Sequence, residues 1–289
     1  MDVNIKKLND IIYLYYYNGR QVMRKRGFIG AGNMGGAILG GILKAKIIDK
    51  KDIIACVKSE KSLEKIKNTY DVRVTKDSRE VVRNSDIVVV GVKPNIYDEV
   101  LEEIKSEIDN EKIIVTIAAG KTIESVEKII GSDKKIVRTM PNTPALVGEG
   151  MTSISPNKNI NEEELNLVKF IFDALGKSEI VDEKLIDAVI GASGSSTAYA
   201  FMFIEAIADG AVLAGMPRDK AYKFAAQGVL GAAKMVLETD KHPGELKDMV
   251  CSPGGTTIEA VKVLEENNFR GTVIKAVEAC VNKSREMSK

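Results

Sequence analysis

The chain has 289 residues, enough for two domains with cores of their own, and its 42 basic against 41 acidic side chains leave a formal net charge of +1. So even a balance offers no electrostatic pull toward nucleic acid or an anionic membrane surface. Three cysteines, Cys56, Cys251 and Cys280, stand far apart without C-x-x-C spacing, and a single histidine, His242, speaks against a His-rich metal centre, so the composition predicts a reduced, cytoplasmic, metal-free protein.

Residues 1–22 read differently from the rest of the chain. Ile11-Ile12-Tyr13-Leu14-Tyr15-Tyr16-Tyr17 is a short aromatic run that lacks the longer apolar core and small-residue cleavage site of a signal peptide. A disordered extension or a mis-assigned start is expected here, with Met23 as the new beginning, because Arg24-Lys25-Arg26 leads directly into the first strand. From Arg26, short β-branched runs alternate with stretches of helical period, the pattern of β-α-β units on a parallel sheet. Strands are predicted at 27–30, 53–57, 72–74, 87–92, 112–117 and 136–139, with helices between them. Asp77-x-x-Glu80 and Asn161-x-x-Glu164 have the form of capping boxes that open helices. After about Asp182 the strand signals stop, so a Rossmann-type domain over 23–182 is expected to give way to an all-α domain over 183–289. Its helices are predicted at 185–192, 197–215, 218–239, 243–250, 257–267 and 269–287.

The most apolar stretch, 198–216, is interrupted by Glu205 and Asp209, which predicts a buried amphipathic helix rather than a membrane span. Its apolar residues include Phe201, Ile204, Ile207, Ala208 and Ala211 in a segment rich in Gly and Ala. Small residues on long helices permit close packing between subunits, and a homodimer through this domain is expected.

Gly30-Ala31-Gly32-Asn33-Met34-Gly35 follows the first strand and opens an apolar helix, the setting a dinucleotide fingerprint requires. Its glycines permit a tight turn, close approach of a pyrophosphate and close packing of helix on strand. At the end of the second strand, where an acidic residue would take the ribose 2′-hydroxyl of NAD, stand Lys58 and Ser59. A cation and a hydroxyl suit a 2′-phosphate, so NADP is the expected cofactor, NADPH preferred and NADH possible. Further loops at strand ends are Val92-Lys93-Pro94, Ala118-Ala119-Gly120 and the segment around Asn142, whose neighbours Pro141 and Pro144 stiffen it near the nicotinamide.

In the helical half, Ser252-Pro253-Gly254-Gly255-Thr256-Thr257 has the make-up of a cradle for a small carboxylate. Two glycines let the backbone approach a ligand, the hydroxyls supply hydrogen bonds, and Thr256-x-x-Glu259 has capping-box form, so a helix N-terminus should face the loop. His242, beside Pro243 at another helix start, is expected to be an exposed turn residue and not a catalytic one.

Together these motifs resemble pyrroline-5-carboxylate reductase from Met23 to the end of the chain. The likeness is carried by 28–35, Val92-Lys93-Pro94, the run from Arg138 to Gly150 and, most specifically, the run from Asp248 to Thr257. The resemblance implies a Rossmann domain followed by a helical dimerisation domain that completes the partner's active site, with dimers often assembled into decamers. It implies hydride transfer from NAD(P)H to the C=N of Δ1-pyrroline-5-carboxylate. Thr257 would then set its hydroxyl on the ring nitrogen, and Ser252 with the N–H groups around Gly255, Thr256 and Thr257 would hold the carboxylate. The chain departs from the family where Ser-Gly-Ser-Gly-Pro-Ala-Tyr is usual and Ser193-Gly194-Ser195-Ser196-Thr197-Ala198-Tyr199 stands here. Two other functions share parts of this pattern: a β-hydroxyacid dehydrogenase, which needs a lysine where 191–203 has none, and a non-catalytic NADP-binding sensor or scaffold.

Overall fold

The structure, a computed structural model, describes residues 25–287; the expectations for residues 1–22 lie outside the described residues. These fall into two compact units, the first running to Val189 and taking in the chain again from Ser284, the second comprising Ile190–Lys283.

The first unit is built on one eight-stranded sheet of order β3-β2-β1-β4-β5-β6-β7-β8. Its strands are β1 Arg26–Ile29, β2 Ile53–Cys56, β3 Arg73–Thr75, β4 Ile87–Val90, β5 Ile113–Thr116, β6 Lys135–Met140, β7 Gly150–Pro156 and β8 Gly176–Ile180. The first six are parallel; β7 runs antiparallel to β6, and β8 runs parallel to β7. Crossovers are made by α1 Asn33–Lys44, α2 Glu60–Tyr70, α3 Ser78–Arg83, α4 Pro94–Ile104, α5 Ile123–Ile130 and α6 Glu162–Asp173.

Strand side chains alternate between two buried faces. Phe28, Ala55, Val89, Val115 and Val137 pack with Ile38, Leu39, Ile42 and Phe172 on one side. Ile29, Ile54, Val88, Val90 and Ile114 pack with Val81, Tyr97, Leu101 and Val126 on the other. Burial on both faces is why these strands are near-continuous Val and Ile in sequence.

Three local expectations are corrected. Asn161 and Glu164 do form a reciprocal capping box, but Asp77 caps α3 through Arg79 N, while the Glu80 carboxylate accepts from Arg73 and Thr75. An arginine and a hydroxyl on the adjacent strand outcompete a backbone N–H for that carboxylate. Strands β7 and β8 were not predicted, because Thr152, Ser153 and Ser155 are polar although each is at most 3% exposed. The third concerns the apolar stretch of the helical unit.

That unit contains a π-helical turn, Ile190–Gly194, then α8 Ser196–Leu213, α9 Arg218–Glu238, α10 Pro243–Val250, α11 Thr256–Glu266 and α12 Phe269–Met287; the short α7, Ile186–Val189, precedes the turn and belongs to the first unit. A Cβ at Gly191 would lie 3.0 Å from both Val277 and Val281, so glycine is what lets this turn pack on α12. Ser196 Oγ donates to Ala192 O at 2.7 Å and Thr197 Oγ1 to Gly194 O at 3.3 Å, which satisfies carbonyls at the junction of the turn with α8. The hydroxyls that replace the family's Gly and Pro therefore bond locally. Tyr199 and Ser195 meet α12 at Ala276 O and Cys280 Sγ.

Helix α8 is not the buried helix expected: Ala208 is its one buried residue, and Phe201 and Met202 are 64% and 69% exposed. Among the described residues α9 packs on it through Ala208, Ala221 and Ala225, and α12 meets it at Tyr199 and where Phe269 faces Phe203, yet most of its apolar surface is left outside. By length and composition alone the helical stretch Glu183–Leu213 is able to cross a membrane.

Candidate functional site

The carboxyl ends of β2, β1, β4, β5 and β6 form a row, since Ile29 is in register with both Cys56 and Val90, Val90 with Thr116, and Thr116 with Arg138. The chain order reverses between β1 and β4, and ligands of open α/β sheets bind in the crevice at such a switch point. Gly30 leaves β1 with φ +88, and a Cβ there would stand 2.8 Å from the Gly91 carbonyl. Gly32 is the N-cap of α1, and a Cβ on it would meet nothing within 4 Å among the described residues, so the approach to this turn is open. Gly35 is buried, with the Gly30 carbonyl oxygen 2.3 Å from where its Cβ would be. Ala31 and Met34 are half-buried and Asn33 exposed in the first turn of α1. First-turn N–H groups have no intrahelical acceptor and favour an anion, so the cradle fits a dinucleotide pyrophosphate.

Other predicted cofactor residues line the same row. Val92 and Lys93 follow β4, which ends at Val90 and not at Val92, and Lys93 and Pro94 are the N-cap and first residue of α4. Ala118, 6% exposed, donates from its N–H to Thr116 Oγ1 at 3.3 Å, and Ala119 after it is exposed. Asn142, buried after β6, accepts from Met151 N through Oδ1 at 2.9 Å and so fixes the connection into β7. Lys58 is exposed just beyond β2. Ser59 is the N-cap of α2: its hydroxyl accepts from Ser62 N at 3.2 Å and donates to Ser62 Oγ at 2.8 Å. Gly91 was missed by the sequence reading, which ran β4 two residues too long; a glycine after four consecutive β-branched residues was the available signal. A Cβ on it would be 2.9 Å from both Gly30 O and Ile117 Cδ1.

Two groups near this row are held neutral. Burial pushes the Cys56 thiol up despite its contact with Ser78 Oγ at 3.6 Å, and burial likewise pushes the Tyr97 phenol well above the usual tyrosine range. Neither supplies charge to a bound ligand. Among the described residues no cluster of three His, Cys, Asp or Glu side chains is arranged to hold a metal ion.

The second constellation lies within the helical unit. Gly255 N donates to Ser252 O at 3.0 Å and Gly254 has φ +67, closing a turn with Pro253 second and Gly254 third, as a type II turn requires. A Cβ on Gly255 would be 2.4 Å from Ser252 Oγ, so the absent side chain lets the serine hydroxyl lean over the start of α11. The N-cap is Gly255 with extended backbone and no side-chain cap, which corrects the expected Thr256–Glu259 capping box. Once the turn has closed on Gly255, Thr256 is already the first helical residue and its hydroxyl is no longer in the capping position. The Gly255 N–H is spent on the turn, leaving those of Thr256 and Thr257 as first-turn donors beside the Ser252 hydroxyl. Thr256 is exposed and Thr257 half-buried. His242 caps α10, its Nδ1 accepting from Gly244 N at 3.0 Å, in line with the structural role expected of it.

Comparison with known proteins finds relatives over both halves of the chain. The family model described as pyrroline-5-carboxylate reductase dimerisation matches residues 183–287, and one described as NADP oxidoreductase, coenzyme F420-dependent, matches 25–120. Pyrroline-5-carboxylate reductase of Escherichia coli is 50% identical over 266 residues, 92% of this chain and 99% of that protein. The enzyme of the same name from Arabidopsis thaliana is 44% identical over 264 residues, 91% of this chain and 95% of its own. The crystal structure of Plasmodium falciparum pyrroline carboxylate reductase with NADP bound superposes with a TM-score of 0.84 at 37% identity, covering 92% of this chain and 98% of that one.

Proposed function

The chain belongs to the pyrroline-5-carboxylate reductase family and is an oxidoreductase that reduces Δ1-pyrroline-5-carboxylate to L-proline; we propose that it prefers NADPH and that the Ser252–Thr257 turn holds the substrate's carboxylate. When bound, the reduced dinucleotide supplies the hydride for the imine carbon.

What this chain's residues contribute is placement. Gly30, Gly32 and Gly35 bring main chain against the pyrophosphate, and Lys58 meets a 2′-phosphate with a cation. Val92, Lys93, Pro94, Ala118, Ala119 and Asn142 line the path toward the nicotinamide. The Ser252 hydroxyl and the first-turn N–H groups of Thr256 and Thr257 hold the carboxylate, and the Thr257 hydroxyl orients the ring nitrogen. A protonated cyclic imine is already electrophilic, so positioning rather than a strong acid or base carries the rate. The turn carries this reading: Ser252 Oγ leans over Gly255 at the uncapped start of α11.

A homodimer through the helical unit is supported by the dimerisation-family match over 183–287 and by a trough of about 380 Å³ lined by Phe203, Ile207, Phe224 and Val229. The further assembly to a decamer rests on the resemblance, and a cytoplasmic location on the cysteine composition. The test is NADPH oxidation with pyrroline-5-carboxylate, against a panel of hydroxyacids and a no-substrate control. Thr257→Ala should lower kcat/KM about 100-fold while leaving NADPH affinity in place, as loss of a positioned proton-handling group does. Wild-type turnover by that variant removes Thr257 from the mechanism.

A further inference from the structure

The register between β2 and β3 brings a second lysine to the cofactor's strand end. Cys56 pairs with Thr75, and Val57 N donates to Thr75 O at 3.2 Å, so Lys76 leaves β3 beside the segment Lys58-Ser59-Glu60. The turn that carries it is tied down on both sides. Thr75 Oγ1 donates to Glu80 and accepts from Asp77 N at 3.1 Å, while Asp77 Oδ1 accepts from Arg79 N at 2.9 Å. From this fixed base the Lys76 ammonium pairs with the Glu60 carboxylate, which opens α2 two residues after Lys58.

An acidic side chain at this strand end favours an unphosphorylated ribose, whose 2′-hydroxyl it accepts, and repels a 2′-phosphate. Glu60 is such a side chain, and it is engaged by Lys76. We propose that Lys76 is a specificity-determining residue for the cofactor: it cancels Glu60, so that the phosphate of NADPH meets Lys58 without an opposing carboxylate. The proposal rests on the reading that the phosphorylated ribose binds at the end of β2. Lys76 acts through Glu60 and is a positioning residue, not a catalytic one.

The experiment is a double-mutant cycle read as the dissociation constants of NADPH and NADH by fluorescence titration, together with KM and kcat, in the parent, Lys76→Gln, Glu60→Gln and the double variant, with Lys58→Gln alongside. Lys76→Gln should raise Kd and KM for NADPH about fivefold, the size of one unit-charge contact at water-like dielectric, with kcat kept and the values for NADH unchanged or lowered. In the Glu60→Gln background the same change should have almost no effect, and added salt should shrink the difference in the single variant. A fivefold loss that persists in the Glu60→Gln background would mean that Lys76 meets the phosphate directly and would overturn the proposal. So would an unchanged NADPH-to-NADH ratio in Lys76→Gln while Lys58→Gln still loses NADPH. If the parent shows no preference and Lys58→Gln changes nothing, the reading of the ribose site falls and this proposal with it.

Discussion

In the sheet unit, Phe28, Val89 and Val115 are each at most 2% exposed, and the apolar residues of both sheet faces find partners inside the chain. In the helical unit, Phe201, Leu213 and Phe224 are 64%, 92% and 69% exposed, and the buried cluster consists of Ala208, Ala221 and Ala225. The sequence of both halves is rich in apolar residues, yet one half completes a core alone and the other does not. A helix face this apolar is stable in water only when covered, and burial is worth about 25 cal/mol for each Å² removed from solvent. A second copy of the chain, matching its own α8 and α9, is the cover we propose.

The strongest way to break that contrast is Phe224→Asp. A charge placed in an apolar contact costs several kcal/mol, so the dimer dissociation constant should rise at least about a thousandfold by sedimentation equilibrium, with the sheet unit still folded. An unchanged dimer would show that this face is not the contact. A smaller effect is expected for Gly35→Ala, where the new methyl would be driven onto the Gly30 carbonyl oxygen. Such overpacking costs about 1–3 kcal/mol, visible as a lower Tm together with weaker dinucleotide binding, and a melt identical to the parent's would be inconsistent with the close approach seen here.

Gly228→Ala sharpens the comparison, because a Cβ on Gly228 in α9 meets no atom within 4 Å among the described residues. A helix left bare should gain about 1 kcal/mol from alanine. A helix covered by a partner should instead lose dimer affinity, and only the second result fits our proposal. The least effect concerns the acid side of the sheet unit. The hydroxyl of Thr75 and the guanidinium of Arg73 hold the Glu80 carboxyl below its usual range. The stabilisation is present above the unfolded-state pKa and is lost as pH falls through the depressed folded value. Melting curves of Glu80→Gln should therefore lie slightly below the parent's near neutrality and converge with them in acid; a constant gap down to low pH would assign the difference to packing.

Much of the sheet was legible because strands buried on both faces are written as unbroken runs such as Ile87-Val88-Val89-Val90. The same rule hid β7, where Thr152, Ser153 and Ser155 are buried without being apolar. Motif spacing located helix starts better than it located their hydrogen bonds. Asn161-x-x-Glu164 closes as a capping box, whereas Glu80 is claimed by neighbouring side chains and Thr256 begins its helix one position too late to cap it. Fingerprint residues such as Gly30 and Gly35 were readable because their glycines answer backbone demands that few other residues meet. The contacts of Gly91 and Lys76 were not, since each is made with a segment distant in sequence.

The amino-acid order by itself determined the alternation of strand and helix, the glycine cradle and the Ser252–Thr257 turn, because each depends on residues a few positions apart. Tertiary structure alone decided which strand ends stand side by side, which carboxylate Lys76 engages, and that α8 keeps its apolar face outside. Those outcomes arise from register and packing between distant segments, and no local preference contains them.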